Sequence, residues 1–240
     1  MNTTMVAARS EAPPLEASAP RQVWPRLWVL AVFAIAMGLL EAICVIYLRR
    51  LHPVSAWAAV PNIPPTERLR IEVVREACTL VMLVTAGWLG GINLRSRIAC
   101  FFYVFGLWDI FYYIGLKWLA NWPASWVEWD CLFLIPQPWY GPVLAPVLIS
   151  ALFAGACLLI HAWEIRGHTS WLSLRLIAGQ LLAATLWYWS FVKDAAAIGA
   201  HGYTQVTYSW ALLAAGMIIS ALSFWWASRS RAALALTTPG

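Results

Sequence analysis

Six apolar runs of about 20 residues follow one another along this chain, and they constrain its fold more than any other feature. At about 1.5 Å per residue in a helix, each run can cross a hydrocarbon layer about 30 Å thick. Backbone groups in lipid must be satisfied within the segment, so runs of this kind predict helices. Hydrophobic residues make up 62% of the chain and charged residues 11%, which excludes an ordinary soluble domain. The sequence predicts an all-α, polytopic transmembrane bundle of six helices.

The predicted organisation is one transmembrane domain, residues 23–228, between two tails. Residues 1–22 are rich in Ala, Pro, Ser and Glu and have no periodicity, so they are predicted to be a disordered cytoplasmic tail. Residues 229–240 form a short basic tail. The first apolar run has full spanning length, which predicts an uncleaved helix rather than a signal peptide. The six predicted helices cover residues 27–48, 67–94, 98–120, 143–163, 171–192 and 206–227.

The lysines and arginines near the helix ends predict the orientation of the chain. With the N-terminus inside, more of them fall on the inner side than on the outer side, although the first outer loop runs against this trend. Both termini are therefore predicted to be cytoplasmic. Because the basic residues are scattered rather than clustered on one face, the net charge of +5 does not indicate nucleic-acid binding. The predicted partner is the lipid bilayer, and a protein partner or a homo-oligomer stays open.

Ionisable residues inside the predicted helices are the first candidate site residues. Asp109 lies about 18 Å from the inner end of predicted helix 3, and Glu41 lies about 22 Å from that of helix 1. A charge at such depth costs a few kcal/mol or more unless it finds a partner. Lys117 follows Asp109 on the same face, and Arg75 belongs to a polar stripe near the start of helix 2. We expect Glu41, Asp109 and Lys117 around one outward-facing cleft, with Glu72, Arg75 and Glu76 at its mouth.

Two interpretations of these residues stay open. They can form a satisfied polar network that fixes the packing of the helices. Alternatively, the buried carboxyls of Glu41 and Asp109 can do acid–base work, while Arg75 and Lys117 hold an anionic headgroup.

The tryptophan-rich loop after helix 3 supplies the third candidate acid. Ser125 and Glu128 have the S-x-x-E spacing of a capping box, with Glu128 as the cap. The segment WVEWDCLFLI is therefore predicted to form a short interfacial or re-entrant helix. Asp130 is a candidate because neither a cap nor a basic neighbour in the sequence accounts for it.

The sequence predicts neither a metal nor a cofactor. His161, Glu164 and His168 are spaced by three and four residues and are metal-ligand types. Gly167, however, is expected to end the helix before His168, and no second helix offers ligands. The five cysteines contain no C-x-x-C pair, and nucleotide-binding and hydrolase motifs are absent from the sequence. Whether the protein is an enzyme stays open.

Four segments, EAICVIYLRR, VREACTLVML, GLWDIFYYIGLKWL and WDCLFLIPQPWYGPVLAP, resemble a family of uncharacterised bacterial multi-pass membrane proteins. The resemblance covers approximately residues 40–150. It implies a bacterial inner membrane and carries no activity, cofactor or catalytic residue.

Three functions fit the sequence. The first is an accessory or structural membrane component. The second is a membrane-embedded enzyme or lipid-binding protein that uses Glu41, Asp109 and Asp130. The third is a small proton-coupled transporter that uses Glu41 and Asp109.

Overall fold

A computed structural model describes residues 23–51, 67–165 and 173–235, and it confirms the predicted bundle of helices. The described helices are α1 Val23–Leu51, α2 Glu67–Gly90, α3 Leu94–Ala120, α4 Leu144–Ile165, α5 Leu174–Val192, α6 Ala195–His201 and α7 Trp210–Ala235. Of these, α1, α2, α3, α4 and α7 are long and apolar enough to cross a membrane. The helix α5 has 19 residues, carries Arg175 and Gln180, and is outside that set.

Several helix boundaries depend on local signals. Helix α2 begins at Glu67, as predicted. Helix α3 begins earlier than the predicted residue 98, because Asn93 caps it. The Asn93 side chain accepts a hydrogen bond from the Ser96 N–H at 2.9 Å, and the Ser96 hydroxyl accepts one from the Asn93 N–H at 3.1 Å.

Other boundaries differ from the prediction at the C-terminal end. Helix α6 occupies a segment that the sequence predicts to be a loop, and α7 continues to Ala235, past the predicted end of the transmembrane domain. The predicted N-terminal tail lies outside the described residues.

The first three helices pack closely through small residues. Helices α1 and α3 run parallel, and α2 is antiparallel to both. A Cβ atom added at Gly38 of α1 would lie 2.5 Å from the Trp108 carbonyl oxygen of α3. One turn further along, Gly115 of α3 faces Ala42 of α1. A Cβ atom added at Gly115 would lie 2.9 Å from the Ala42 Cβ atom. Small residues of α1 thus form its contact with α3.

Helices α4, α5 and α7 complete the bundle. The backbones of α3 and α4 lie close together at Gly106, where the absence of a side chain leaves room for α4. A Cβ atom added there would lie 2.4 Å from the Ser150 carbonyl oxygen. Helices α5 and α7 pack antiparallel, and Gln180 of α5 bonds both Ser220 at 2.8 Å and Ser223 at 2.7 Å on α7. Polar pairs of this kind hold helices together where the surrounding residues are apolar.

The loop between α3 and α4 does not form the predicted short helix. Strands β1 Trp129–Phe133 and β2 Trp139–Pro142 pair antiparallel instead, with Trp129 opposite Pro142 and Phe133 opposite Trp139. The Glu128 carboxylate caps no helix: it accepts hydrogen bonds from the Trp122 indole at 2.7 Å and from the Ala124 N–H at 2.6 Å. Ser125 and Glu128 belong to a turn here rather than to the first turn of a helix. The backbone N–H and C=O groups after Glu128 find their hydrogen-bond partners in strand β2, so they do not need those of a helix.

This β-hairpin packs down between the helices. Phe133 packs against Phe105 and Trp108 of α3, with ring centroids 6.4 and 6.0 Å apart. Phe105 lies only about 16 Å along α3 from its first residue, which is at the end opposite to the hairpin. The hairpin therefore descends deep between the helices. Non-helical backbone at such depth is tolerated only where protein buries it or where it lines a polar cavity. The end of the bundle from which it descends is called the hairpin end below.

Candidate functional site

An ion-paired group joins α1 to α2 at the hairpin end. The Arg75 guanidinium contacts the Glu41 carboxylate of α1 and lies 2.8 Å from the Glu72 carboxylate of its own helix. The Thr79 hydroxyl lies 3.5 Å from Glu41 Oε2. The side chains of Arg75 and Glu41 are 25% and 13% exposed, so this group is only partly shielded. The structure therefore brings together Glu41 and Arg75, two of the predicted site residues.

Asp130 of β1 lies in a second group. Its carboxylate is 3.4 Å from the Arg49 guanidinium of α1 and accepts hydrogen bonds from the Tyr113 hydroxyl at 3.2 Å and the Cys131 N–H at 2.9 Å. The Asp130 side chain is 1% exposed. This burial raises the pKa of Asp130 to about 6, although Arg49 and the hydrogen bonds act in the opposite direction. Arg49 is the basic partner that the sequence around Asp130 lacks.

Asp109 lies on α3 and is buried, with 9% of the residue exposed. Its Oδ2 atom accepts a hydrogen bond from the Ser150 hydroxyl of α4 at 2.8 Å. The Asp130 carboxylate is within electrostatic reach of Asp109. The Tyr112 hydroxyl is within electrostatic reach of Arg49, Arg75 and both aspartates.

Two further residues make different contacts from those expected of them. Glu76 of α2, whose contact the sequence does not indicate, accepts the Leu134 N–H at 2.9 Å and so holds the turn of the hairpin. Lys117 stays apart from the carboxylates described above: its amino group donates to the Pro123 carbonyl oxygen at 2.9 Å. Of the predicted cleft residues, Lys117 thus contacts the loop surface rather than the acids.

These residues form what we call the polar cluster. Among the side chains that the structure describes, it contains five carboxyl groups and two guanidinium groups, so full ionisation would leave three negative charges unbalanced. Such a charge is expensive where water is scarce. The members are Glu41, Arg49, Glu72, Arg75, Glu76, Asp109, Tyr112, Tyr113 and Asp130.

The predicted metal-ligand types at the other end of the bundle are only partly described. His161 is buried and lies beside two cysteines. The Glu164 side chain and residue 168 lie outside the described part of the chain. Within that part, no group of three or more His, Cys, Asp and Glu side chains is arranged to hold a metal ion.

Comparison of the chain with protein-family models, with curated proteins and with solved structures finds no match. The class of the protein therefore follows from its own architecture. Five long apolar helices in one chain are those of a helical membrane protein. Within the described residues, the polar cluster packed against the hairpin is the candidate site.

Proposed function

We propose that this chain is a six-span protein of the bacterial inner membrane, with both termini cytoplasmic and the hairpin end facing outward. The sixth span is α5, which lies alongside α7 and extends from Leu176 in the core at one end to Phe191 beside the hairpin at the other. The distribution of basic residues and the family resemblance support the orientation and the membrane.

We propose further that the polar cluster is an outward-facing acid–base site of a membrane-embedded enzyme or lipid-binding protein. The observation that carries this proposal is the excess of carboxyl groups over guanidinium groups. Buried like charges at short range cannot all ionise, so the cluster keeps protons on some of its carboxyls. A carboxylic acid beside an ionised carboxylate can both donate and accept a proton, which is the basis of general acid–base catalysis.

The residues divide by role under this proposal. Asp109 and Asp130 are the groups that exchange protons, because each is deeply buried and the pKa of Asp130 lies near the working range of an acid–base catalyst. The Tyr112 hydroxyl is within electrostatic reach of both aspartates and of Arg75. Arg49 and Arg75 hold carboxylates in place, since each guanidinium already contacts an acid. The substrate or ligand reaches the cluster from the outer leaflet or from the outer surface.

A second candidate function, an accessory or structural membrane component, is favoured by a different observation. Glu76 of α2 accepts the Leu134 N–H of the hairpin, and Asp130 of the hairpin contacts Arg49 of α1 and Tyr113 of α3, so the cluster also fixes the hairpin in place. Beside it, Trp118 near the end of α3 is 76% exposed and Trp126 of the following loop is 61% exposed, and a partner can contact these apolar side chains. Under this alternative the carboxyls serve packing alone.

Infrared spectroscopy of the purified protein separates the two candidates. A protonated carboxyl group has a C=O stretching band that an ionised carboxylate lacks. We expect this band to persist at neutral pH and to weaken in Asp109→Asn. Because the pKa of Asp130 is about 6, Asp130→Asn should weaken the band only when the measurement is repeated below that pH. Glu128→Gln is the matched control, because Glu128 bonds Trp122 and Ala124 outside the cluster, and it should leave the band unchanged.

The same variants test folding. If no protonated band exists at neutral pH and Asp109→Asn only lowers thermal stability, the acid–base proposal is overturned and the accessory component is supported.

A further inference from the structure

A second group of reactive side chains lies at the end of the bundle opposite to the hairpin. The sulfur atoms of Cys100 of α3 and Cys157 of α4 both contact the imidazole ring of His161. The Cys157 sulfur is 3.4 Å from Nδ1, and the Cys100 sulfur is 3.9 Å from Nε2. Cys100 and Cys157 are each 1% exposed, and His161 is 5% exposed. The Tyr103 hydroxyl is within electrostatic reach of both thiols.

The register of α3 against α4 places the two cysteines at one level. Successive contacts along this antiparallel pair join Asp109 to Ser150 at 2.8 Å and then the rings of Phe102 and Phe153 at 4.7 Å. Further along the interface, Cys100 and Cys157 both contact the His161 ring. The close approach of the two backbones at Gly106 keeps the helices near each other on this side of the interface. Two thiols on neighbouring helices thus share one base.

We propose that Cys100 and Cys157 are a redox-active dithiol that closes to a disulfide between α3 and α4, with His161 as the proton acceptor. The His161 Nδ1 atom lies 3.0 Å from the Cys157 carbonyl oxygen. A proton on Nδ1 bonds to that oxygen and leaves Nε2 as the acceptor for the Cys100 proton. The resulting thiolate is the reactive form, because thiolates rather than thiols take part in disulfide chemistry.

The oxidant is a lipid-soluble quinone, because the thiols are buried among apolar residues that exclude bulk water. On closure two S–H bonds break and one S–S bond forms. Two electrons and two protons pass to the quinone, which becomes the quinol, and the Cys100 proton travels through His161. Closure requires the two sulfur atoms to approach to about 2.05 Å, so the imidazole must turn aside. The disulfide would then lock α3 to α4.

The full chain tests this in proteoliposomes treated with decylubiquinone, followed by alkylation with a maleimide and peptide mapping. We expect a linked peptide containing Cys100 and Cys157, formed in neither Cys100→Ala nor Cys157→Ala. Cys44 and Cys78 are the internal controls, because they are exposed, unlinked thiols on α1 and α2, and they should stay open to the maleimide.

His161→Gln should slow closure by about tenfold or more and regain the lost rate when free imidazole is added, because neutral imidazole can enter apolar surroundings and replace the missing base. A purely structural His161 would not give this recovery. The proposal is overturned if both thiols stay reduced after quinone treatment, or if the linked peptides contain Cys44 or Cys78. It is also overturned if closure in His161→Gln is as fast as in the native chain.

Discussion

The contact between α1 and α3 gives the sharpest test of the packing. Gly38 of α1 faces the backbone of α3, where an added Cβ atom would lie 2.5 Å from the Trp108 carbonyl oxygen and 2.9 Å from the Tyr112 nitrogen. Backbone atoms cannot rotate away as the end of a flexible side chain can. The substitution Gly38→Ala must therefore push the two helices apart at a point close to Glu41.

The expected loss follows from these distances. Ordinary contact begins at 3.4 Å, so the helices must separate by about 1 Å, and overpacking of this size costs roughly 1–3 kcal/mol. Alanine recovers about 0.5–1 kcal/mol through its better helix propensity. The net loss is on the order of 1–2 kcal/mol. For a chain of this length it corresponds to a melting temperature lower by roughly 2–8 °C.

Gly155→Ala is the matched control. Gly155 lies inside α4, and an added Cβ atom there meets nothing within 4 Å. Only the gain in helix propensity, about 0.5–1 kcal/mol, should remain, so this variant should melt at the same temperature as the native chain or slightly higher.

Thermal unfolding of both variants in the same detergent, followed by intrinsic tryptophan fluorescence, measures the difference. The two substitutions are chemically identical, so a difference in sign between them reports the contact with α3 alone. If Gly38→Ala melts as high as Gly155→Ala, the close contact of α1 with α3 is wrong.

Three further predictions concern the hairpin and the helix pairs. Burial raises the pKa of Asp130 from 3.8 to about 6, so the folded chain holds this proton more tightly than the unfolded chain. The contribution of Asp130 to the free energy of unfolding is therefore largest below pH 4 and falls by up to about 3 kcal/mol as the pH rises through 6. In a pH series of melting temperatures, Asp130→Asn should remove this slope. Glu76→Ala leaves the Leu134 N–H without its acceptor and should cost about 1–3 kcal/mol in thermal unfolding. Glu76→Gln keeps an acceptor and should cost less; equal losses would contradict the hydrogen bond to the hairpin. Gln180→Leu should cost about 1 kcal/mol, and an unchanged melting temperature would show that the polar link between α5 and α7 adds nothing.

The candidate site was only partly visible in the sequence. Depth and helical spacing singled out Glu41, Asp109 and Arg75, because both properties can be read along a single helix. The same reasoning grouped Lys117 with Asp109, yet the Lys117 amino group turns to the Pro123 carbonyl oxygen instead. Spacing places two side chains on one face of a helix but does not determine what lies opposite them.

The sequence by itself determined the membrane class and the positions of most helices. Hydrophobic length is a property of consecutive residues, and the start of α2 at Glu67 agrees with the start predicted from the sequence. Caps, turns and apolar runs act over a few residues, so they can be recognised without knowledge of the fold.

Only the tertiary structure decided the hairpin and its partners. Arg49 and Asp130 are 81 residues apart in the chain, and Glu76 and Leu134 are 58 apart. The segment after Ser125 has a local signal for a helix, but pairing of β1 with β2 and capping of the hairpin by Glu76 satisfy its backbone as strands. Buried backbone groups must be satisfied by whatever lies nearby. For this segment the partners come from distant parts of the chain, and no window of consecutive residues contains them.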